Sequence, residues 1–396
     1  MAVRDEFAAR DLIARFGSPL YVYDAERVRR NYENFRAAFS CAPFETHFAI
    51  VCNKNRLLVR TLHELGAGIH ANTPGDAFAA MAAGVPPGRI VYSGTNLSEA
   101  DFEFLISRGI RMNLDSLDQL RDAAKFGARE AGLRFLIDDE NHPNRIGVAA
   151  DELAVALEFA KRSGVRITGL HMYAGTNTRR TERFLECFDR MIEASSRLPD
   201  LEFLDGGGGY GVSYEDRQSP LDLESLGAAI SERMTTISAR RGRPIRLILE
   251  PGRTLVADAG VLLATVVSAK ERGGRRYIGV DTTVGNIVVP SVYHERHRIV
   301  PVSPRGPAIE IPADVCGNTT HSRDFLGRDL RLPHLQPGDL LKIEDVGAYG
   351  YAMSSHFLNR PRPAEVVLDR GEAHLTTRRE TFEDLLATQL EIQPGG

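Results

Sequence analysis

The sequence predicts a (β/α)8 barrel followed by an antiparallel β domain, and three observations carry that expectation. Over residues 26–255, eight short β-branched and apolar runs alternate with stretches of helical periodicity, the order that builds a closed parallel barrel. Four consecutive glycines, Gly206 to Gly209, follow the seventh run directly, at the strand end where a barrel carries its functional loops. After Gly252 the texture changes to short strands separated by turn residues, as in an antiparallel sheet of barrel or sandwich type. An open doubly wound sheet is the alternative that the same alternation allows.

Taken in order, residues 1–25 hold a helix-like start and then the aromatic run Leu20 to Tyr23, ended by Asp24, an acid suited to capping a helix. This segment is expected to join the β domain. The predicted barrel strands are His47–Cys52, Gly68–Asn72, Arg89–Ser93, Arg111–Leu114, Leu133–Ile137, Ile167–Tyr173, Leu201–Leu204 and Ile245–Leu249. Between them, Arg56 to Leu65 has apolar residues at helical spacing with Gly66 as a stop. Ser98 and Asp101 form a capping-box pattern, and Asp151 opens a periodic run to Ala160. The β domain, 256–396, is expected to use Val261–Val267, Tyr277–Val280, Ile287–Val289, Leu340–Ile343 and Ala364–Leu368.

The composition narrows the function. A formal net charge of -4 with interspersed acids and bases offers no basic stripe for nucleic acid and no polybasic segment for anionic lipid, which leaves small molecules as partners. No run approaches the roughly 20 apolar residues of a membrane span, and the first residues lack an apolar signal core. A cytoplasmic protein is expected. Cys41, Cys52, Cys187 and Cys316 are scattered without a CxxC pair, so neither a metal site nor a disulfide framework is signalled.

Two motifs carry chemistry. The glycine run lets backbone N–H groups approach a phosphate closely. Glu250-Pro-Gly-Arg253, at the end of the eighth strand, sets a carboxylate where it can bond a protonated pyridine nitrogen and an arginine where it can take a phosphate. With Gly169-Leu-His171, Gly347-Ala-Tyr-Gly350 and Arg360 to Glu365, these motifs make the chain similar, over nearly its whole length, to the pyridoxal phosphate (PLP) dependent decarboxylases of the diaminopimelate and ornithine type.

The resemblance implies an alanine-racemase-like barrel with a β domain, in a homodimer whose active sites are shared, with Tyr349 supplied by the partner. It assigns phosphate binding to Gly207, Gly208, Gly209 and Arg253, the pyridine nitrogen to Glu250, and a place at the phosphate and substrate to Tyr349. Tyr293 matches a tyrosine near the substrate. The reactive positions depart from the family. Where it has a pattern like YAVKCN, this chain reads Phe48-Ala-Ile-Val51-Cys-Asn53, so Val51 stands where the family links its cofactor to lysine. The histidine that stacks on the cofactor ring is replaced by Tyr173, while Thr176 keeps a hydroxyl. Thr320 replaces the cysteine that returns a proton, and His321 the glutamate after it. An arginine that grips the substrate carboxylate in diaminopimelate-type enzymes falls on Val289, which argues against that substrate.

Lys54 is the obvious stand-in for the missing amine. Side chains alternate along a strand, so residues 51 and 53 are expected on one side and 54 on the other, and three extended residues span about 10 Å. Lys54 therefore reads as a solvated loop lysine, and His171 as a hydrogen-bonded core histidine rather than a general base. The expected function is that of a divergent PLP-dependent decarboxylase-family protein acting on an amino acid or an intermediate derived from one, with PLP held non-covalently or absent. The alternatives are a lysine-less pseudoenzyme or ligand-binding dimer, and a PLP-independent enzyme using Thr320, His321, Tyr173 or Tyr349.

Overall fold

A computed structural model describes residues 3, 6–137, 144–214, 219–293, 296–302, 309 and 311–390. The remaining parts of the ranges 1–25, 26–255 and 256–396 lie outside the described residues. The chain forms two compact units, Val28–Ser213 with Gln218–Leu255, and Val256–Gly396 with Met1–Arg27 and Tyr214–Arg217.

The first strand, β1 (Leu20–Asp24), belongs to the second of these units, and Asp24 caps the following helix Ala25–Ala37 by accepting from the Arg27 N–H. The barrel then closes from β2 (Phe44–Ala49), β3 (Gly68–Ala71), β4 (Ile90–Tyr92), β5 (Arg111–Leu114), β6 (Glu130–Arg134), β7 (Arg166–His171), β8 (Phe203–Asp205) and β9 (Arg246–Leu249). All neighbours are parallel, and the seam joins β2 to β9 with Phe44 opposite Leu247. The capping box at Ser98 and Asp101 is present in full, and the helix it opens, Glu99–Ser107, buries Phe102 and Leu105.

Three strand expectations are corrected. β2 ends at Ala49, and Ile50–Cys52 is a 3-10 turn, because Asn53 N–H returns to the Ile50 carbonyl instead of pairing across the barrel. β6 lies three residues earlier than expected, at Glu130–Arg134; beyond it the Phe135 N–H still donates to the His171 carbonyl at 2.7 Å, and Phe135 forms an isolated bridge with Val148. Ile287–Val289 is not a strand: the short helix Val289–Val292 begins there, with Pro290 in its first turn, where a missing N–H costs nothing.

Inside the barrel the pleat stacks side chains in layers. Gly132 and Gly169 are in register with each other and Gly169 with Phe203, whose ring fills the space: a Cβ on Gly169 would lie 2.4 Å from it. Two residues further along the same strands, Arg134, His171 and Asp205 share the next register level towards the C-terminal mouth. An apolar plug thus floors a polar layer.

The other unit is a nine-stranded sheet, mostly antiparallel. Its remaining strands are β10 (Gly260–Arg272), β11 (Arg275–Val280), β12 (Ile299–Pro301), β13 (Ala313–Cys316), β14 (Phe325–Leu330), β15 (Leu340–Ile343), β16 (Ala364–Asp369) and β17 (Glu372–Thr377). The main path runs β14-β13-β11-β10-β1-β16-β17, with β15 also on β10 and β12 on β15. β1 pairs antiparallel with β10 and parallel with β16, and Leu20, Val22, Val261, Leu263 and Val366 build the core under it with Ala9 and Leu12 of the helix Glu6–Phe16.

Candidate functional site

The polar layer at the barrel mouth is built from strand ends. Glu250 follows β9 and is fixed by its own N–H, which donates to the Gly207 carbonyl at 2.8 Å. Its Oε2 lies 3.2 Å from His171 Nε2 and 3.5 Å from His70 Nε2, and Asp205 sits beside it at the end of β8. Asp205 Oδ1 accepts from the Gly207 N–H at 2.9 Å, and Asp205 Oδ2 accepts from Asn113 Nδ2 at 3.4 Å. One donor atom from each of His171, Asp205 and Glu250 lies within 4.8 Å of the others, so the three are also placed as metal ligands would be.

Burial sets the charge state of this layer. Desolvation pushes the Glu250 carboxyl up to about 8, with bonding from Asp205 and the nearby Arg134 charge acting in the opposite direction. Asp205 is raised as well, first by desolvation and then by the Glu250 charge. Desolvation lowers His171 to about 4 and His70 well below the usual histidine range. Burial therefore favours uncharged imidazoles at His70 and His171 and protonated carboxyls at Asp205 and Glu250. His171 fits the expected role of a hydrogen-bonded core histidine.

The glycine run is required by its surroundings. Gly207 has φ +63°, and a Cβ there would lie 2.0 Å from the Met172 carbonyl oxygen. One on Gly208 would lie 2.6 Å from the Glu250 carbonyl, and one on Gly209, at φ +96°, 2.0 Å from the Gly175 carbonyl. No acceptor is found among the described residues for the Gly208 and Gly209 N–H groups, although Gly208 is buried. Glu250 Oε1 is likewise buried without a partner. Unpaired buried polar groups of this kind call for a ligand or water.

Tyr173 and Thr176 stand on the loop after β7, their hydroxyls 2.9 Å apart, and the Arg134 guanidinium lies 5.6 Å from the Tyr173 ring centre. Arg253 begins the short helix Arg253–Val256, whose preceding turn rests on the end of β2: Ala49 N–H donates to the Pro251 carbonyl, and a Cβ on Gly252 would lie 3.1 Å from Cys52 Sγ. Burial pushes the Cys52 thiol up to about 12, which leaves it inert.

Val51 is 40% exposed in the 3-10 turn, between buried Ile50 and Cys52. The expected sharing of a face by residues 51 and 53 does not occur, since Asn53 is buried while Lys54 is exposed like Val51. A 3-10 turn repeats every three residues, and strand alternation ends with β2. Val51 and Lys54 thus both face solvent, and strand alternation does not separate them.

The remaining expected residues lie in the β unit. Thr320 is exposed and His321 half-buried, the latter edge-on to Phe357 at 5.3 Å between ring centres. Their loop is organised by buried Asp324, which accepts from Thr283 Oγ1, the Val284 N–H, and the Thr319 N–H and hydroxyl. Tyr349 is half-buried with φ +59°, just after Gly347, where a Cβ would lie 1.8 Å from the Val256 carbonyl oxygen. Tyr293 is 58% exposed and Val289 buried. Burial raises the Cys316 thiol to about 11, which disfavours its thiolate.

Sequence reasoning missed His70, Asn113, Arg134 and Asp205. Asp205 had a signal, since it directly precedes the glycine run; the others become visible only once the strand registers are known.

Comparison with known proteins bears on this arrangement. A family model described as pyridoxal-dependent decarboxylase, pyridoxal binding domain, matches residues 25–257. The diaminopimelate decarboxylase of Methanothermobacter thermautotrophicus is 33% identical over 407 residues, covering 96% of this chain and 94% of that protein, and that of Aquifex aeolicus is 31% identical with 97% and 94% covered. Among solved structures, Helicobacter pylori diaminopimelate decarboxylase complexed with L-lysine superposes with a TM-score of 0.88 at 29% identity, over 96% of this chain and 98% of that one. The M. jannaschii enzyme in co-complex with L-lysine gives 0.90 at 27% identity, over 97% and 94%.

Proposed function

The chain belongs to the pyridoxal-dependent decarboxylase family, and from that premise we propose that it binds PLP without a covalent lysine link and acts on an amino acid or an intermediate derived from one. The observation that carries this reading is the pair of unmet requirements at the barrel mouth: the unpaired N–H groups of Gly208 and Gly209, and the buried, unpaired Oε1 of Glu250. The first suits a phosphate, together with Arg253, and the second suits a pyridine nitrogen. Bound there, PLP supplies a ring that withdraws electrons from a carbon attached to its aldehyde.

The protein's own groups have definable tasks in this reading. Glu250 holds a proton at a carboxyl oxygen at neutral pH, so it offers the ring nitrogen a hydrogen-bonded proton to share. His171, uncharged, fixes Oε2 of that carboxyl from 3.2 Å. Tyr173 offers a ring face and Thr176 a hydroxyl, while Thr320, His321 and Tyr349 are the candidates for handling protons at the substrate. Tyr349 would do so across a homodimer interface.

Titration with PLP, followed by ligand fluorescence, tests the cradle: saturable binding at micromolar concentration is expected, and no saturation at cellular cofactor levels would sink it. A second reading, a ligand-binding dimer without turnover, is favoured by one observation, the exposed valine at position 51. Release of CO2 from a panel of amino acids by the PLP-loaded protein separates the two.

A further inference from the structure

β3 carries a histidine that the cradle leaves unexplained. His70 is 6% exposed and stands in register with Ala49 of β2 and Val91 of β4. It shares its strand face with Gly68, where a Cβ would lie 2.8 Å from His47 Nε2. Both ring nitrogens of His70 are buried without a hydrogen-bond partner among the described residues. An apolar residue would fill the same space with no such penalty, so a doubly unpaired imidazole here calls for a partner.

The group it faces is the carboxyl of Glu250. His70 Nε2 is 3.5 Å from Glu250 Oε2, longer than a normal N–H···O bond, while His171 Nε2 holds the same oxygen from 3.2 Å. The two imidazole planes are 21° apart in angle with 6.3 Å between ring centres, and both Nε2 atoms address one carboxyl oxygen. The other titratable or charged groups around the pair are His47 on β2, Arg134 on β6 and Asp205 at the end of β8. Desolvation, and then the neighbouring His171, Arg134 and His47, keep His70 well below the usual histidine range, so it offers an N–H but no charge. A carboxylate oxygen has room for two donors and draws them closer than a neutral carboxyl does.

We propose that His70 is a positioning residue for Glu250: with His171 it forms a two-imidazole clamp on Oε2, which closes when Oε1 meets the cofactor's ring nitrogen and keeps the shared proton on that nitrogen. The inference rests on the cradle reading for the ring nitrogen, whereas the clamp itself can be measured without PLP. Two N–H donors on Oε2 favour the charged carboxylate over the carboxyl, so the proton between Oε1 and the nitrogen sits on the nitrogen. Without His70 it moves towards the oxygen.

The test uses PLP labelled with 15N at the ring nitrogen and bound to the full-length protein, its chemical shift at neutral pH reporting where the proton lies. His70→Leu removes the donor at similar volume, and His70→Gln returns an amide N–H at the reach of Nε2. The parent should show a protonated ring nitrogen. His70→Leu should move the proton ratio about tenfold or more towards the carboxyl, and His70→Gln should restore it. If His70→Leu does not fold, His70→Asn, whose amide reaches only the Nδ1 position, takes its place with the same expectation. An unprotonated ring nitrogen in the parent overturns the proposal, as does an unchanged shift in the variant without the donor. Equal displacement in His70→Gln overturns it too, because lost packing would then be the cause. If the parent binds no PLP, the cradle reading fails by itself, and the PLP-free chain decides. Glutamate labelled with 13C at the carboxyl gives a Glu250 signal identified by its loss in Glu250→Gln. That carboxyl should titrate about one pH unit or more higher in the variant without the donor than in the parent or His70→Gln, and coincident titrations overturn the clamp.

Discussion

At the residue scale, Glu250 makes the pH behaviour of the chain predictable. Its carboxyl titrates near 8 when folded and near 4.5 otherwise. Between those values the folded chain keeps a proton that the unfolded chain has already released, so stability from this group is complete below pH 4.5 and is lost as pH rises through about 8. His171 works the other way: lowered from 6.5 to about 4, it contributes above pH 6.5 and loses that contribution as pH falls through about 4. Glu250→Gln keeps the volume and removes the titration. The PLP-free parent should lose stability from pH 5 to 8, and the variant should lose less, the gap reaching on the order of a few kcal/mol at pH 8. Melting curves of the two proteins that run parallel across that window would refute the assignment. Val51 supports a second test. Val51→Lys sets an amine on the exposed side of the 3-10 turn beside the proposed cradle, and borohydride should then fix PLP on residue 51. A reduced adduct on Lys54 of the unsubstituted protein would show instead that a displaced lysine does that work.

At the scale of elements, backbone crowding makes the glycine loop intolerant. Gly207→Ala must meet both φ +63° and the Met172 carbonyl at 2.0 Å, so the loop has to shift; PLP affinity should fall about tenfold or more, read by the same fluorescence titration. Retention of full affinity would show that the loop does not hold the phosphate. The loop after β13 gives an independent case. Asp324→Ala leaves the buried Thr283 hydroxyl and Val284 N–H without their acceptor, and a destabilisation of about 2–4 kcal/mol is expected in denaturant titration. Less than about 0.5 kcal/mol would mean that water replaces the carboxylate.

These elements also show what the sequence could and could not convey. Alternation of strand-like and helix-like runs sufficed for the barrel, because each strand is short, apolar and bounded by turns. The capping box at Ser98 was legible because its logic is local. The turn at Ile50–Cys52 was not, since an apolar Ile-Val-Cys run reads equally as strand, and what ends β2 is a backbone bond to Ile50 that no residue type announces. His70 and Arg134 were invisible for a related reason. A lone histidine or arginine in an apolar run takes its meaning from which neighbour it meets across the barrel, and that depends on register.

On the scale of the whole molecule, the β unit bears exposed apolar side chains on short helical turns: Val292, Tyr293, Phe357 and Leu358 are 46–58% exposed. A surface of that kind is suited to burial in a symmetric dimer, as the proposed role of Tyr349 requires. Light scattering at micromolar concentration should give twice the chain mass, and a monomer would count against a shared site. No helix among the described residues is long and apolar enough to cross a membrane.

The position of β1 has a consequence for how the molecule comes into being. Leu20 to Tyr23 is wholly buried, yet its two neighbours are β10 and β16, so the strand finds its last partner only when Ala364–Asp369 has emerged from the ribosome. At the usual ~5–20 residues per second, that is a wait of roughly 17–70 s during which a sticky Leu-Tyr-Val-Tyr segment keeps at least one open edge. The nascent chain must be kept from pairing with its neighbours on the polysome through that interval. Nascent chains stalled before residue 364 should accordingly be caught by a holdase chaperone at their amino-terminal segment, and release should coincide with arrival of β16.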